Sequence, residues 1–95
     1  MTEEMLRTVL ETAQAKADKD GVAALPQGRL LTLYSAHHGV GLTVGKVERI
    51  RVAGSSLRAH TAKGETFLLA LEDVFAAAIE GTGEPGASRK AGFLG

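Results

Sequence analysis

The chain has 95 residues, of which 44% are hydrophobic and 23% are charged, and its formal net charge is +0 at pH 7. This length accommodates one domain, the composition is typical of a folded globular protein, and the balanced charge provides no overall attraction to nucleic acid or membranes. The absence of Cys excludes disulfides and cysteine nucleophiles, and without a signal-peptide pattern or a long apolar run we expect a cytoplasmic protein.

Residues 2–20 are predicted to form an amphipathic helix, within an N-terminal unit of residues 1–21. Thr2 is the expected N-cap, and Gly21 is expected to end the helix. The apolar residues that recur at helical spacing are Met5, Leu6, Val9, Leu10, Ala13 and Ala17. We expect this stripe to pack on the protein's own sheet; the alternative is an interface with a partner or a second copy.

Residues 22–80 are predicted to form a small β-barrel-like domain, because β-branched residues and Leu are interrupted at short intervals by Gly and Ser. A tight hairpin turn is expected at residues 53–56, with Gly54 and Ser55 at its centre. The cross-strand pairs that follow are Ile50 with Ala59 and Val52 with Leu57 on one face, and Arg51 with Arg58 and Arg49 with His60 on the other.

The next turn can be closed by two residues, 63–64, or by three, 62–64, with Gly64 left-handed. The two-residue loop would turn Phe67 and Leu69 onto the arginine side of the sheet. The three-residue loop shifts the pairing by one and gives one apolar and one polar face, because a one-residue slip reverses every side chain. We therefore predict the three-residue loop.

Two further features of residues 22–80 and the residues after them can be predicted. The alternation of apolar residues changes parity near Gly45, which predicts a bulge or bend of the kind that curls a sheet. Residues 71–80 fit either a short helix or a single turn followed by a closing strand. Residues 81–95 are Gly-rich and are predicted to be a flexible tail.

The charge is unevenly distributed, since residues 28–63 contain six Lys and Arg residues against the single acid Glu48. The predicted register collects the basic residues of one exposed sheet face, which are Arg49, Arg51, Arg58 and His60. Such a face is typical of a surface for RNA, DNA or an acidic protein. The alternative is a solvated face whose charges are balanced by nearby carboxylates.

Signs of catalysis or of bound cofactors are absent from the sequence patterns. His37 and His38 are adjacent and lack the spacing of metal ligands, so we predict no metal site. The glycines of residues 39–45 precede a β-like segment rather than a helix, which argues against a phosphate loop. No serine lies in a nucleophile motif. We expect no enzyme activity and no cofactor.

The end of the tail is basic and then apolar, and its residues of interest are Arg89, Lys90, Phe93 and Leu94. Such a segment is typical of a docking peptide that orders on binding. The alternative is an unstructured end without a role.

Residues 29–80 resemble small β-barrels. Gly45-Lys46-Val47 on an early strand and Leu71-Glu72-Asp73-Val74 after a hairpin are similar to the pattern of PRC-barrel domains, and the helix-first order is similar to that of Sm-like proteins. The fold expected is α+β, an N-terminal amphipathic helix packed on a strongly bent antiparallel sheet or barrel of the SH3, Sm or PRC type, with a disordered C-terminal tail. The resemblance implies a binding or adaptor module and transfers no functional residue.

The function expected from these observations is a non-enzymatic adaptor that binds another protein or a second copy of itself. The alternative is nucleic-acid binding through the basic sheet face. No membrane partner is expected.

Overall fold

The structure is a computed structural model that describes residues 1–81, and it begins with helix α1, Glu3–Thr12. Thr2 is the N-cap: its side-chain oxygen accepts a hydrogen bond from the backbone N–H of Met5 at 3.0 Å. Glu3 and Glu4 lie in the first turn, where the helix dipole favours negative charge. Leu6 is the helix residue that is fully buried against the sheet. The predicted cap and the packing of the helix on the sheet are therefore confirmed.

The predicted extent of the helix, residues 2–20, is wrong. The helix ends at Thr12, and Gln14 adopts a left-handed φ of 63° that turns the chain away from the helix axis. Residues 16–24 form a small hairpin instead, and the predicted boundary at residue 21 falls in its turn. There Asp18 Oδ1 accepts hydrogen bonds from the N–H groups of Asp20 and Val22, at 2.8 and 3.0 Å.

Seven strands form one antiparallel sheet, in which β1-β2-β4-β3-β7 are successive neighbours, β5 pairs with β4, and β6 pairs with β5. Their bounds are β1 Lys16–Ala17, β2 Val22–Ala24, β3 Leu30–His37, β4 Val40–Ala53, β5 Ser56–Thr61, β6 Thr66–Ala70 and β7 Val74–Glu80. The sheet is strongly curled into a half-barrel, and with α1 it makes the predicted α+β fold.

Strand β4 is bent where the sequence predicted a bulge. Its first half pairs with β3 and its second half with β5 and β2, and both the β3 and the β5 register shift close to Lys46. Lys46 itself has a φ of 57°, a conformation that breaks the regular pleat. The bend lets one long strand serve both halves of the curled sheet.

Both predicted hairpin registers are confirmed. Val52 lies opposite Leu57 around the turn at 53–56, and Ala59 lies opposite Phe67. The second pairing requires the three-residue loop, and Gly64 has the expected left-handed φ of +89°. A non-glycine side chain is disfavoured at this φ, which is why glycine occupies the position.

The ambiguous residues 71–80 form a turn and a closing strand. Leu71–Asp73 make a single 3₁₀ turn, and β7 then pairs with β3. The short-helix alternative is thereby excluded. Gly81 is the last described residue; the rest of the predicted tail, with Arg89, Lys90, Phe93 and Leu94, lies outside the described residues.

The core fills the concave side of the curled sheet under α1. Its buried residues are Leu6, Leu31, Leu33, Val44, Val47, Ile50, Leu57, Ala59, Leu71 and Val74. Phe67 and Leu69 of β6 are half-buried and pack against this cluster. Because side chains alternate along each strand, the residues between these core positions face outward.

Candidate functional site

The predicted basic residues meet on the convex side of the sheet. In the β4–β5 hairpin Arg51 lies directly opposite Arg58, and Arg49 lies directly opposite His60. Each alternates with a core residue, so all four face away from the hydrophobic cluster. The predicted grouping is therefore present; a role in binding stays a prediction.

The neighbouring strands extend this set in two directions. On one side Val22 of β2 lies opposite Arg51, and on the other side Leu68 of β6 lies opposite Arg58. Thr66 of β6 lies opposite His60, and their side chains are in hydrogen-bond contact at 3.2 Å. We call this surface the arginine face; its residues are Val22, Arg49, Arg51, Arg58, His60, Thr66 and Leu68.

Sequence reasoning missed Val22 and Leu68. Val22 was missed because the segment before it was assigned to a helix, although Asp18-Lys19-Asp20-Gly21 is a turn signal. Leu68 follows from the three-residue loop, which turns it outward while Phe67 faces the core. Its side chain is 68% exposed, so the arginine face contains an unshielded apolar residue.

The arginines have no acidic counterpart in the described part of the chain. Within residues 1–81 no carboxylate is in ion-pair contact with Arg49, Arg51 or Arg58. Like charges directly opposite each other on adjacent strands are destabilising, and this applies to Arg51 and Arg58. The alternative of a face balanced by nearby carboxylates is therefore not supported by residues 1–81.

Two shallow depressions flank the Arg51–Arg58 pair. One, of about 190 Å³, is lined by Val22, Arg49, Ile50, Arg51, Arg58, His60 and Thr66. The other, of about 140 Å³, is lined by Arg51, Ala53, Ser56, Arg58 and Leu68. Both contain the same two guanidinium groups, whose planar forks match carboxylate and phosphate oxygens. The face can therefore accept anionic groups on either side of the pair.

The three histidines lie in two separate places. His37 Nδ1 lies 3.1 Å from Asp73 Oδ1, and its ring contacts that of His38, while His60 lies on β5 in the arginine face. Among residues 1–81 no group of three or more His, Cys, Asp and Glu side chains is arranged to hold a metal ion.

A larger depression, of about 300 Å³, lies between α1 and the β1–β2 hairpin. Its lining is mainly aliphatic, with Leu6, Leu10 and Val52, and its charged residues come from the helix. None of the lining residues is Ser, Thr or His, so this depression contains no hydroxyl nucleophile or imidazole. We therefore take the arginine face, rather than this depression, as the candidate functional site.

No protein-family model matches the chain, and neither a curated protein nor a solved structure matches it. Over residues 1–81, none of the helical structure has the length and apolar character that crossing a membrane would need.

Proposed function

We propose that this chain is a non-enzymatic binding module whose arginine face recognises an acidic surface of a partner protein. The observation that carries the proposal is the direct opposition of Arg51 and Arg58, without a carboxylate partner in residues 1–81 and next to the exposed Leu68.

The repulsion between the two arginines gives an anionic partner a specific advantage. A carboxylate placed between the guanidinium groups relieves their repulsion and accepts charge-assisted hydrogen bonds from both. Arg is also the cationic residue most enriched in protein interfaces, where it combines charge with a flat apolar surface. The proposal therefore uses the charge of the pair rather than the net charge of the chain.

Leu68 favours a protein over a nucleic acid. Surfaces that bind single-stranded nucleic acids present aromatic rings on which bases stack. On the arginine face the exposed residue opposite Arg58 is Leu68 rather than an aromatic residue, and Phe67 packs against the core. An aliphatic side chain beside two arginines is suited to a segment that combines acidic and apolar residues.

The strongly curled half-barrel sheet is in keeping with the small-barrel resemblance of the sequence, which implies the same class of function. The interior of a small barrel is filled by side chains, so a site for a partner has to lie on its outer faces or edges.

Nucleic-acid binding is the second candidate, because guanidinium groups bind phosphates as well as carboxylates. It predicts affinity for RNA or DNA that falls steeply with salt, since counterions are released on binding. The same protein variants test both candidates.

The experiment is an NMR titration of ¹⁵N-labelled protein with a glutamate-rich peptide, a single-stranded RNA and a DNA duplex. We expect the peptide to shift amide signals of β4 and β5, and Arg58→Glu to weaken its binding by at least about tenfold. Arg7→Glu, which makes the same charge change at an exposed position on α1, is the matched control and should bind as the wild type does.

Two outcomes would overturn the protein-binding proposal. Tighter binding of RNA or DNA than of the peptide, with a steep salt dependence, would assign the face to nucleic acid. Equal losses with Arg58→Glu and Arg7→Glu would show that only net charge matters and that the face is not a site.

A further inference from the structure

Strand β6 is an open edge of the sheet. It pairs with β5 and with no other strand of residues 1–81. Its sequence, Thr66–Ala70, is TFLLA, which contains neither charge nor proline. Natural edge strands are usually protected by charged residues, proline or a covering element, and an unprotected edge accepts an additional strand.

Hydrogen bonds at both ends of β6 determine which of its backbone groups are free. The N–H of Thr61 donates to the carbonyl of Glu65, and the N–H of Leu71 donates to the carbonyl of Ser55, each at 2.8 Å. In an antiparallel ladder, positions that bond to the partner alternate with positions that point away from it. The residues of β6 whose backbone groups point to the open edge are Thr66, Leu68 and Ala70.

These three residues are also the ones whose side chains lie on the outer side of the sheet with Arg58 and His60. A strand added along β6 would place its outward side chains in the same rows. Neighbouring strands lie about 4.8 Å apart, so a residue opposite Leu68 is about 10 Å from Arg58 along the row. The long side chains of Glu and Arg together span this distance above Leu68, which favours acidic residues at the outward positions.

The inward positions of an added strand have the opposite preference. They would lie beside Phe67 and Leu69, which are half-buried and form the flank of the core at this edge. A depression of about 210 Å³ between the start of β6 and the bend of β4 is lined by Val44 and Phe67 and by the charged residues Lys46, Lys63 and Glu65. Apolar side chains would extend the core here, where Val44 and Phe67 meet.

We propose that the partner of the arginine face is an extended protein segment that alternates acidic and apolar residues and binds as an additional strand along β6. Its acidic residues reach Arg58 across Leu68, and its apolar residues cover Phe67 and Leu69. The inference rests on the proposed function and adds the conformation and the residue pattern of the ligand.

The test uses a ten-residue peptide of alternating Glu and Val and two N-methylated forms of it. One form is methylated on the backbone nitrogen of each Glu, the other on that of each Val. In a strand, successive N–H groups point to opposite edges, so only one set faces β6, whichever direction the peptide takes. We expect one methylated form to lose at least about tenfold in affinity while the other binds as the parent does.

Protein variants give an independent measurement. Leu68→Pro removes an N–H at the open edge, where proline is tolerated, and should weaken binding of the parent peptide by about tenfold relative to Leu68→Ala. Circular dichroism of both variants verifies the fold. The N-methylated peptides keep the inference testable if Leu68→Pro does not fold.

The results separate the two proposals. If Arg58→Glu abolishes peptide binding but both methylated peptides bind equally, or both fail, the strand inference is overturned and the arginine face stands. If the peptide binds wild type and Arg58→Glu alike, the proposed function fails. Light scattering that shows a dimer dissociated by the peptide would assign the edge to a second copy and overturn the inference.

Discussion

The two sides of the β4–β5 hairpin differ in burial and in charge, although their residues alternate along the same two strands. On the concave side Ile50, Leu57 and Ala59 are at most 1% exposed and belong to the core. On the convex side Arg51 and Arg58 are exposed and oppose each other without a carboxylate partner in residues 1–81.

The difference shows how this small fold separates stability from recognition. Burial of apolar area supplies most of the favourable free energy of folding, and it is confined to the concave residues. The convex residues contribute little to stability and include an unfavourable pair. Because strand side chains alternate, substitutions one position apart should affect different properties: stability on the concave side and binding on the convex side.

The largest effect is expected for Leu57→Ala, which leaves a cavity in the core. Leu57 is 0% exposed, and truncation of a buried leucine lowers the free energy of unfolding by about 2–5 kcal/mol. The neighbouring Arg58→Ala should change it by less than about 0.5 kcal/mol. Urea denaturation of the two variants measures both values. Similar losses in the two variants would contradict the division between the faces.

Deletion of Lys63 is expected to have an intermediate effect. It shortens the β5–β6 loop to two residues, Ala62 and Gly64, and leaves Ala59 opposite Phe67, because burial holds Phe67 and Leu69 on the core side. A two-residue hairpin loop of type I′ needs a left-handed φ at Ala62 as well as at Gly64, which should lower the free energy of unfolding by about 1–2 kcal/mol. Lys63→Ala, with the loop length kept, is the control and should be nearly neutral. Loss of the cross-strand contacts between Ala59 and Phe67 in NMR spectra of the deletion variant would refute the expectation.

The smallest effect is expected for Arg51→Glu, and its sign is the informative part. The substitution replaces a repulsive cross-strand pair with an attractive one, so the free energy of unfolding should rise by about 0.2–1 kcal/mol at low salt. The gain should shrink as salt screens the charges. Binding of acidic peptides should weaken in the same variant. A decrease in stability measured by thermal unfolding at low salt would argue against repulsion between Arg51 and Arg58.

The features that were predicted correctly depend on short stretches of chain. The turns at 53–56 and 62–64 set the hairpin registers through glycine geometry and loop length, and the alternation of Phe67 and Leu69 with Leu68 selects one register. The four basic residues of the site follow from these registers alone. The Gly45 bend was recognised because the apolar alternation changes parity there.

The helix prediction failed where local preference and long-range pairing compete. Ala13 and Ala17 continue a helical spacing, yet residues 16–24 form a hairpin whose second strand pairs with β4, Val22 opposite Arg51. The cross-strand hydrogen bonds and the burial of Ala23 outweigh the small helical preference of this segment. The error also concealed Val22 as a neighbour of the arginines.

The arginine-bearing hairpin, with its exposed side and its apolar side, follows from short stretches of the amino-acid sequence, because turn chemistry and side-chain alternation act over a few residues. Three other features emerge only in the folded chain: α1 stops at Thr12, β2 flanks the arginines, and β6 is left as an open edge. These features depend on which distant strands pair, and that choice is made by burial of the whole core rather than by local propensity.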